Sequence, residues 1–311
     1  MKPRIDIVIV NWNAGAGLLQ CIRSIIEYGG GLLGNVIVVD NGSSDGSEAS
    51  VEGLPGVTVL RAGTNLGFGK ACNLGAQASG NDYLLLLNPD TQLYPNSLLA
   101  PFDYLERSEH ANVGICGIQM IDGNGDISPS CWRFPSVLSF AAQALGLNRL
   151  HAFRAWGHRM EDWDHLNTGK VDHVIGAFYL IRRSVFELLN GFDERFFVYF
   201  EDLDLSLRAH QAGWQRVYLA SARAFHAGGG TSRQIKARRL FYSLRSRLQY
   251  GFKHFSPLQR WLLVVVTLLL EPVCRFFFFF LRGRFAEAHN TLHGYMLLCR
   301  ALPAIFGGRR S

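Results

Sequence analysis

Residues 83–93 read YLLLLNPDTQL, an unbroken apolar run that ends abruptly in polar residues. Strands that are apolar on both faces are typical of sheets covered on both sides, and these sheets are mostly parallel. Four more runs of this kind lie at residues 5–10, 36–39, 57–60 and 113–117. The stretch at 83–93 therefore predicts one central strand of a mostly parallel sheet.

Segments with helical periodicity lie between these runs, at residues 18–28, 70–78 and 97–107. The alternation of strands with helices predicts an α/β fold of the Rossmann-like, doubly wound kind. Ligands of such folds bind at the carboxyl ends of the strands. Polar residues that follow a strand are therefore the candidate site residues.

The second half of this α/β region is less regular. Residues 122–172 show little periodicity, which predicts an irregular insertion on the acceptor side or a mobile loop. Beyond it, residues 174–181 predict a strand, and residues 184–190 and 201–212 predict two helices.

The composition is that of a globular protein, with 48% of the 311 residues hydrophobic and 18% charged. The first apolar run is shorter than the core of a secretory signal, so we expect the chain to stay in the cytoplasm. The six cysteines are scattered without a Cys-x-x-Cys pair. This predicts free, mostly buried thiols and no cysteine zinc site.

Two polar segments are candidates for binding a nucleotide. VVDNGSSDGS at residues 38–47 places Asp40 and Asn41 at a strand end, where a carboxylate can accept a base N–H. NLGFGKACNLG at residues 65–75 places Asn65 and Gly67 before a helix that Lys70 opens, and a helix N-terminus attracts phosphate. Each segment alone is equally consistent with an ordinary turn.

A metal site is a third candidate. Asp90 follows the strand at 83–87, and a carboxylate at the end of a central strand is costly unless it faces a ligand or a metal. Carboxylate oxygens suit Mg²⁺ and Mn²⁺. His226, in FHAGGGTS at residues 225–232, is a frequent ligand type for Mn²⁺. An Asx turn and a structural histidine are the alternatives.

Acidic residues crowd the start of the helix predicted at 201–212. Glu201, Asp202 and Asp204 follow a run of aromatic residues in NGFDERFFVYFEDLDL. Acids favour the first turn of any helix because of its dipole. Aromatic residues that lead into paired acids also resemble the wall of a site with a general base.

Taken together and in this order, the segments resemble those of the family 2 glycosyltransferases with the GT-A fold, most closely the rhamnosyltransferase-like branch. The resemblance covers residues 4 to about 232. It implies a hexosyltransferase of cell-wall or polysaccharide biosynthesis. A sugar, rhamnose as the first candidate, would move with inversion from a nucleoside diphosphate to a lipid-linked or cell-surface glycan acceptor.

The resemblance assigns a donor-binding role to residues around the nucleotide. Asp40 matches the acid that reads the nucleobase of the donor. The other donor positions matched in this way are Asn11, Asn13, Asn65, Gly67 and Asn73.

The resemblance also assigns the chemistry. Asp202 matches the catalytic base of a Glu-Asp motif, in which Glu201 precedes it. Asp90 matches the last acid of an Asp-x-Asp motif that binds a divalent metal, Mg²⁺ or Mn²⁺, and His226 matches a histidine that completes the coordination. Asn88 stands where that motif has its first acid, which leaves one carboxylate fewer at the metal.

Two other functions compete with this interpretation. A non-catalytic, nucleotide-sugar-binding scaffold subunit would have no need for both Asp90 and Asp202. A processive polysaccharide synthase would carry several clear membrane spans and a Gln-x-x-Arg-Trp motif, whereas here Gln215 and Arg216 follow Trp214. A single-addition enzyme is therefore favoured.

Residues 233–311 differ in character from the rest of the chain. They carry fourteen lysine and arginine residues against two acids, and they hold the longest apolar runs, at 261–282. Basic charge beside apolar surface predicts association with an anionic membrane surface. No RNA-recognition motif accompanies the charge, so we expect no nucleic acid partner.

The charges inside the apolar stretch decide between modes of membrane association. Glu271 and Arg275 interrupt residues 261–282, which favours a kinked interfacial or re-entrant helix over a full span. A soluble packing helix is the third alternative. We expect a GT-A domain at residues 1–232 and a membrane-associating helical region at 233–311, peripheral or re-entrant at the cytoplasmic face of the inner membrane.

Overall fold

The computed structural model describes residues 4–228 and 236–307. Most of the glycine-rich segment that follows His226 in the sequence, and the predicted domain boundary at residue 232, lie outside the described residues. Within the described ranges the chain forms twelve strands and ten α-helices.

The strands follow the predicted apolar runs closely in the first half of the chain. In chain order they are β1 (Ile5–Asn11), β2 (Leu33–Asp40), β3 (Val57–Arg61), β4 (Tyr83–Leu87), β5 (Thr91–Leu93), β6 (Val113–Ile121), β7 (Ile127–Ser128), β8 (Cys131–Trp132), β9 (Gly169–Lys170), β10 (His173–Val174), β11 (Phe178–Arg182) and β12 (Gln215–His226).

One large sheet contains ten of these strands. Its order is β3-β2-β1-β4-β11-β6-β12-β5, with β7 beside β6 and β9 beside β12, while β8 and β10 form a separate pair. The pairs β1–β2, β1–β4, β2–β3 and β6–β12 are parallel, and β11 runs antiparallel to its neighbours β4 and β6. The prediction of a mostly parallel α/β sheet is confirmed.

The helices lie in the intervening segments and dominate the last third of the chain. In chain order they are α1 (Ala16–Tyr28), α2 (Phe68–Gln77), α3 (Leu99–Glu106), α4 (Val137–Ala144), α5 (Arg183–Leu188), α6 (Glu201–Gln211), α7 (Lys236–His254), α8 (Pro257–Val265), α9 (Glu271–Leu281) and α10 (Phe285–Phe306). A π-helical segment, Val266–Leu270, joins α8 to α9.

Two predictions for the middle of the chain were wrong. The strand expected at 174–181 is broken at 175–177, where a turn separates β10 from β11. The insertion at 122–172 contains the helix α4, whose N-cap Ser136 accepts from the Ser139 N–H and donates its own N–H to the Ser139 hydroxyl. This reciprocal capping satisfies two N–H groups that a helix start otherwise leaves unpaired.

The described chain divides into two compact units. The first comprises the described parts of residues 1–132, 163–194 and 201–231, and it contains the large sheet. Its core includes the inner faces of β1, β2 and β4 with Leu18, Cys21, Ile22 and Ile25 of α1, all fully buried. Burial of these apolar side chains, at about 25 cal/mol per Å², is the main stabilising term.

The second unit comprises the described parts of residues 133–162, 195–200 and 232–311. Helix α10 packs against α7 and α9 in this unit. Glu271 of α9 is buried, and it pairs with Arg247 of α7 and with Arg275 one helical turn further on. The predicted division into two domains at residue 232 stays a prediction.

Candidate functional site

The carboxyl ends of β1 and β2 bring the first polar cluster together. Asn11 lies opposite Asp40 in the parallel register of the two strands, and its Nδ2 donates to Asp40 Oδ1 at 3.0 Å. The same amide donates to Ser43 and to Ser47, at 3.1 and 2.8 Å. Asn11 and Asp40 are buried, so this network sets the position of the Asp40 carboxylate at the rim of the sheet.

The next layer joins the strand ends to the start of α2. The Asn41 amide donates to Asn65 Oδ1 at 3.1 Å and to the Gly67 carbonyl at 3.2 Å. Gly67 has a φ of +85°, a conformation that glycine adopts readily, and it precedes the first residue of α2. Asn13, with a φ of +51°, accepts from the Ser44 N–H at 2.7 Å. The structure thus groups six of the predicted donor residues.

Two predicted donor residues, Lys70 and Asn73, contact a different segment. Lys70 Nζ lies 3.5 Å from Glu194 Oε2. The Asn73 amide donates to the Phe192 carbonyl at 2.9 Å, and its oxygen accepts from the Phe192 N–H at 2.9 Å. Both side chains therefore hold the turn at 192–194 against α2, and their contact with a donor stays a prediction.

Strand pairing brings Asp90 and His226 together although 136 positions separate them. β5 and β12 are antiparallel, with His226 opposite Thr91, and the Ala227 N–H donates to the Asp90 carbonyl at 3.2 Å. His226 Nε2 lies 3.3 Å from Asp90 Oδ1, and the Asn88 amide nitrogen lies 3.5 Å from the same ring nitrogen. Both the Asp90 and the His226 side chains keep some exposure, at 22% and 13%.

These two side chains fit a shared divalent ion. Two neighbouring ligands of an octahedral Mg²⁺-type ion lie about 3 Å apart, close to the spacing of Asp90 Oδ1 and His226 Nε2. Within residues 4–228 and 236–307, no group of three or more His, Cys, Asp or Glu side chains is placed to hold a metal. The pair would leave most coordination positions to substrate oxygens and water, as is usual where Mg²⁺ meets a diphosphate.

Asp202 lies at the start of α6 and remains reachable. Its Oδ2 accepts from the Gly176 N–H at 2.9 Å, and its Oδ1 accepts from the Leu203 N–H at 2.8 Å. Burial raises the pKa of Asp202, but His173 and these two N–H donors outweigh it, and the net pKa lies below the usual range. The side chain is 19% exposed, so part of it can be reached from the solvent.

Glu201, the other acid of the motif, has the opposite environment. It is 4% exposed, and its Oε2 is buried without a hydrogen-bond partner among the described residues. Burial, with repulsion from Asp202 and Asp204, raises the pKa of Glu201 well above its ordinary value. Its side chain packs at Gly69 of α2, where an added Cβ would lie 3.4 Å from Glu201 Cβ. Of the two acids, only Asp202 is both ionised and reachable, and a catalytic role for Glu201 stays a prediction.

One short segment connects Asp202 to the Asp90–His226 pair. The Gly176 N–H holds Asp202, and the next residue, Ala177, accepts through its carbonyl from the Asn88 N–H at 3.1 Å and from the Thr91 hydroxyl at 3.3 Å. Asn88 and Thr91 flank Asp90 in sequence. Two consecutive residues in the break between β10 and β11 therefore contact both sides: Gly176 binds Asp202, and Ala177 binds the segment that contains Asp90.

Sequence reasoning missed two residues at this position. Gly176 was placed inside a continuous strand, although a glycine within a strand pattern is a signal for an interruption. His173 contacts Asp202 at 3.5 Å from the short strand β10, and nothing in its local sequence distinguishes it from a core histidine.

Comparison with known families places the chain. The glycosyl transferase family 2 model matches residues 6–189. An N-acetylglucosaminyl-diphospho-decaprenol L-rhamnosyltransferase of Mycobacterium tuberculosis is 35% identical over 206 residues, which cover 62% of this chain and 66% of the relative. The match thus spans slightly less than two thirds of that relative's length. The rhamnosyltransferase WbbL of Escherichia coli K12 is 27% identical over 69% of this chain and 81% of its own length.

Solved structures share the fold. A mannosyltransferase of Pyrobaculum calidifontis in complex with GDP-Man and Mn²⁺ aligns with a TM-score of 0.55 at 15% identity, over 98% of this chain and 76% of the other. GalNAc-T7 with UDP, GalNAc and Mn²⁺ aligns with a TM-score of 0.58 at 15% identity, over 80% of this chain and 48% of the other. These likenesses support the predicted GT-A fold.

Proposed function

The chain belongs to glycosyltransferase family 2, as its sequence predicts, and on this premise we propose that it adds one sugar, with inversion, to a lipid-linked acceptor. The donor is a nucleoside diphosphate sugar. Asp202 is the catalytic base, and Asp90 and His226 lie at a divalent metal beside the donor diphosphate.

The environment of Asp202 is the observation that carries this proposal. A general base must be ionised and must reach the proton that it removes. Asp202 meets both conditions, whereas the neighbouring Glu201 and Asp204 are buried. The Gly176–Ala177 link then supports placing the base on the same rim as the proposed metal pair.

The reaction is a single displacement at the anomeric carbon. The acceptor oxygen forms a bond to that carbon while the bond from the carbon to the diphosphate oxygen breaks. Asp202 takes the proton of the acceptor hydroxyl, and the nucleoside diphosphate leaves with the electron pair. One displacement inverts the configuration, through a transition state of oxocarbenium character, as in glycosyl chemistry generally.

The side chains around the leaving group have a separate task. A divalent ion, when bound by Asp90 and His226, supplies positive charge beside the diphosphate. The Asn88 amide nitrogen lies 3.5 Å from His226 Nε2. Because Asn88 is uncharged, Asp90 supplies the carboxylate beside His226. We propose Mg²⁺ or Mn²⁺ on the chemistry of these ligands, and the Mn²⁺ in the two related folds is consistent with this choice.

The relatives suggest the donor and the acceptor. Both rhamnosyltransferases named above suggest rhamnose as the sugar, carried by a nucleoside diphosphate whose base would contact Asp40. The mycobacterial relative acts on a diphospho-decaprenol, which suggests a polyprenyl diphosphate glycolipid as the acceptor. Such an acceptor keeps its polyprenyl chain in a bilayer, so the enzyme would work at a membrane surface.

An exposed apolar face in the second unit supports the membrane proposal. Among the described residues, one helical segment, Pro257–Leu281, is long and apolar enough to cross a bilayer, with a mean hydropathy of 2.2, and only 17% of its most apolar window is buried. Its exposed side chains recur every three or four residues and so share one face. They are Leu258, Trp261, Leu262, Val265, Leu269, Val273, Phe277, Phe280 and Leu281. Exposed Arg282 and Arg284 follow this face, where anionic headgroups would lie.

The buried Glu271 favours an interfacial helix over a span. It forms an ion pair between the middle of the segment Pro257–Leu281 and Arg247 of α7. Helix α7 carries six lysine and arginine residues. A span would draw this ion pair towards the centre of the bilayer, at a cost of about 2.5–3.5 kcal/mol for each charge on insertion scales. We therefore place the segment along the surface of the membrane, on the side where the nucleotide sugars are made.

Flotation with lipid vesicles tests the membrane proposal. Wild-type protein is expected to float with phosphatidylglycerol vesicles at low salt, and to float less with phosphatidylcholine vesicles. The double variant Leu262→Glu/Leu269→Glu is expected to stay at the bottom of the gradient. Leu188→Glu, at a residue 62% exposed on α5, is the matched control and should float like the wild type. Wild-type protein that stays at the bottom with both lipids would overturn the proposal, and resistance to alkaline carbonate would indicate a span instead.

A transfer assay tests the function itself. Purified protein is incubated with a panel of nucleoside diphosphate sugars, Mn²⁺ and a polyprenyl diphosphate N-acetylglucosamine, and the glycolipid product is resolved by mass spectrometry. We expect one sugar to be added from a dTDP-rhamnose donor, with inverted anomeric configuration. Donor binding without transfer would favour the scaffold alternative, and a ladder of products would favour the processive synthase.

A further inference from the structure

A buried row of polar side chains lies behind the proposed base. His173 Nε2 is 3.5 Å from Asp202 Oδ2, and His173 Nδ1 is 3.0 Å from Ser206 Oγ. The Ser206 hydroxyl is in turn 2.9 Å from the Tyr179 hydroxyl. His173 and Ser206 are 2% and 0% exposed, and Tyr179 is fully buried, so water does not compete for these contacts.

The carboxylate sets the direction of the first hydrogen bond in this row, and the charge state of the ring sets the direction of the next. Ionised Asp202 can only accept, so His173 must present its Nε2–H to it. With that tautomer, neutral His173 accepts at Nδ1 from the Ser206 hydroxyl, and Ser206 accepts from the Tyr179 hydroxyl. A protonated ring donates at both nitrogens, and its contact with Asp202 is unchanged. The row is complete in either charge state of the ring.

Resting on the proposed function, we infer that His173 is a positioning residue for the catalytic base: it donates to Asp202 Oδ2, keeps the carboxylate ionised, and leaves Oδ1 to take the acceptor proton. Oδ2 accepts from two donors, His173 and the Gly176 N–H, whereas Oδ1 accepts from the Leu203 N–H. A carboxylate oxygen has about two lone-pair sites, so Oδ1 is the oxygen with an acceptor site to spare.

Other titratable groups face Asp202 from the elements packed around it, and His173 is the one among the described residues whose ring can donate to the carboxylate. Glu201 and Asp204 lie on its own helix, Cys72 on α2 and Tyr179 on β11, with Arg208 and Arg216 acting on Tyr179. The raised pKa values of Glu201, Cys72 and Tyr179 are consistent with a carboxylate that carries its charge among groups that stay neutral.

Two substitutions separate positioning from a merely structural role. His173→Gln can place its amide N–H near the former Nε2 and so keep the donor to Asp202. His173→Asn places its amide near the former Nδ1, which keeps the contact with Ser206 and loses the one with Asp202. His110→Gln, which removes an imidazole stacked on Tyr104 outside the row, is the matched control.

The readout is the pH profile of kcat/KM for sugar transfer. In His173→Asn the acid limb is expected to move to higher pH by roughly one unit, the effect of one lost hydrogen bond to a charged group, so that kcat/KM falls roughly tenfold on that limb and little on the plateau. His173→Gln is expected to restore most of the wild-type profile, and His110→Gln to match it. KM for the donor is expected to stay unchanged in all three.

The outcomes are distinct from those of the proposed function. An acid limb that is the same in wild type and His173→Asn, with normal melting temperatures, overturns the inference while the transfer activity stands. Equal loss in His173→Asn and His173→Gln also overturns it, because it indicates a packing role. Wild-type protein with no transfer activity overturns the proposed function instead.

Discussion

Substitution of Gly176 by alanine displaces the Asp202 carboxylate without removing any of its hydrogen bonds. A Cβ at this position would lie 3.2 Å from Asp202 Oδ2 and 3.7 Å from Asp202 Cβ. The Gly176 N–H remains and still donates, so the change adds a methyl group and removes nothing. The carboxylate must retreat by a few tenths of an ångström, because 3.2 Å is tighter than an ordinary contact of this kind.

The size of the effect follows from that displacement. A misplacement of 1 Å at a reacting group can cost about 10²-fold in rate, so a few tenths of an ångström are expected to lower kcat roughly four- to tenfold. The stability is expected to change little. Replacing glycine by alanine at a compatible backbone stabilises by about 0.4–1 kcal/mol, which offsets much of the local crowding.

The assay is steady-state sugar transfer at saturating donor, with thermal melting alongside. Gly169→Ala is the matched control, since its Cβ would enter open space on β9 of the same unit. We expect reduced kcat with unchanged donor KM in Gly176→Ala and wild-type values in Gly169→Ala. Equal turnover in the two variants would refute the argument that this contact sets the position of Asp202.

Two further predictions concern the neighbouring acids. Asn88→Asp adds a carboxylate within reach of the Asp90–His226 pair, so half-saturation by Mn²⁺ is expected at a roughly tenfold lower concentration. Titration of the transfer activity with Mn²⁺ measures this concentration, and an unchanged midpoint would contradict the prediction. The pKa of Glu201 is raised in the folded protein, so its contribution to stability is full below about pH 4.3 and is lost as the pH rises. Glu201→Gln stays neutral, and its melting temperature is expected to exceed that of the wild type by a margin that grows from pH 5 to pH 8, whereas parallel curves would contradict a raised pKa for Glu201.

The pattern of apolar residues predicted the strands because a strand that is buried on both faces is a continuous apolar run in the sequence. The run at 83–87 matches β4 at both ends, and the helix predicted at 201–212 begins with α6 and ends one residue beyond it. These are elements in which the local pattern and the tertiary environment agree, and a periodicity argument needs nothing else.

The parts that could not be predicted depend on contacts distant in sequence. The break at 175–177 is stabilised by the bond from Gly176 to Asp202, 26 positions away, which no local pattern contains. Asp90 and His226 meet only because β5 and β12 pair in one register. Asn73 follows a helix start, as a donor ligand would, yet its amide contacts the backbone of Phe192.

The resemblance to a family assigned roles to Glu201 and Asp202, and the structure distinguishes their environments. Glu201 and Asp202 are adjacent in sequence and chemically alike, and only the structure separates a buried acid with a raised pKa from a reachable acid with a lowered one. The difference arises from the donors around Asp202, since burial alone raises the pKa of both.

The central claim is that Asp202 is the base, and Asp202→Asn tests it most directly. Transfer kcat is measured at saturating donor and acceptor, and donor affinity is measured by calorimetry with Mn²⁺. Asp103→Asn, at an exposed residue of α3, is the control. We predict donor affinity equal to wild type and a fall in kcat of roughly 10²- to 10⁴-fold, the usual contribution of a general base. Turnover of Asp202→Asn close to that of the control would contradict it.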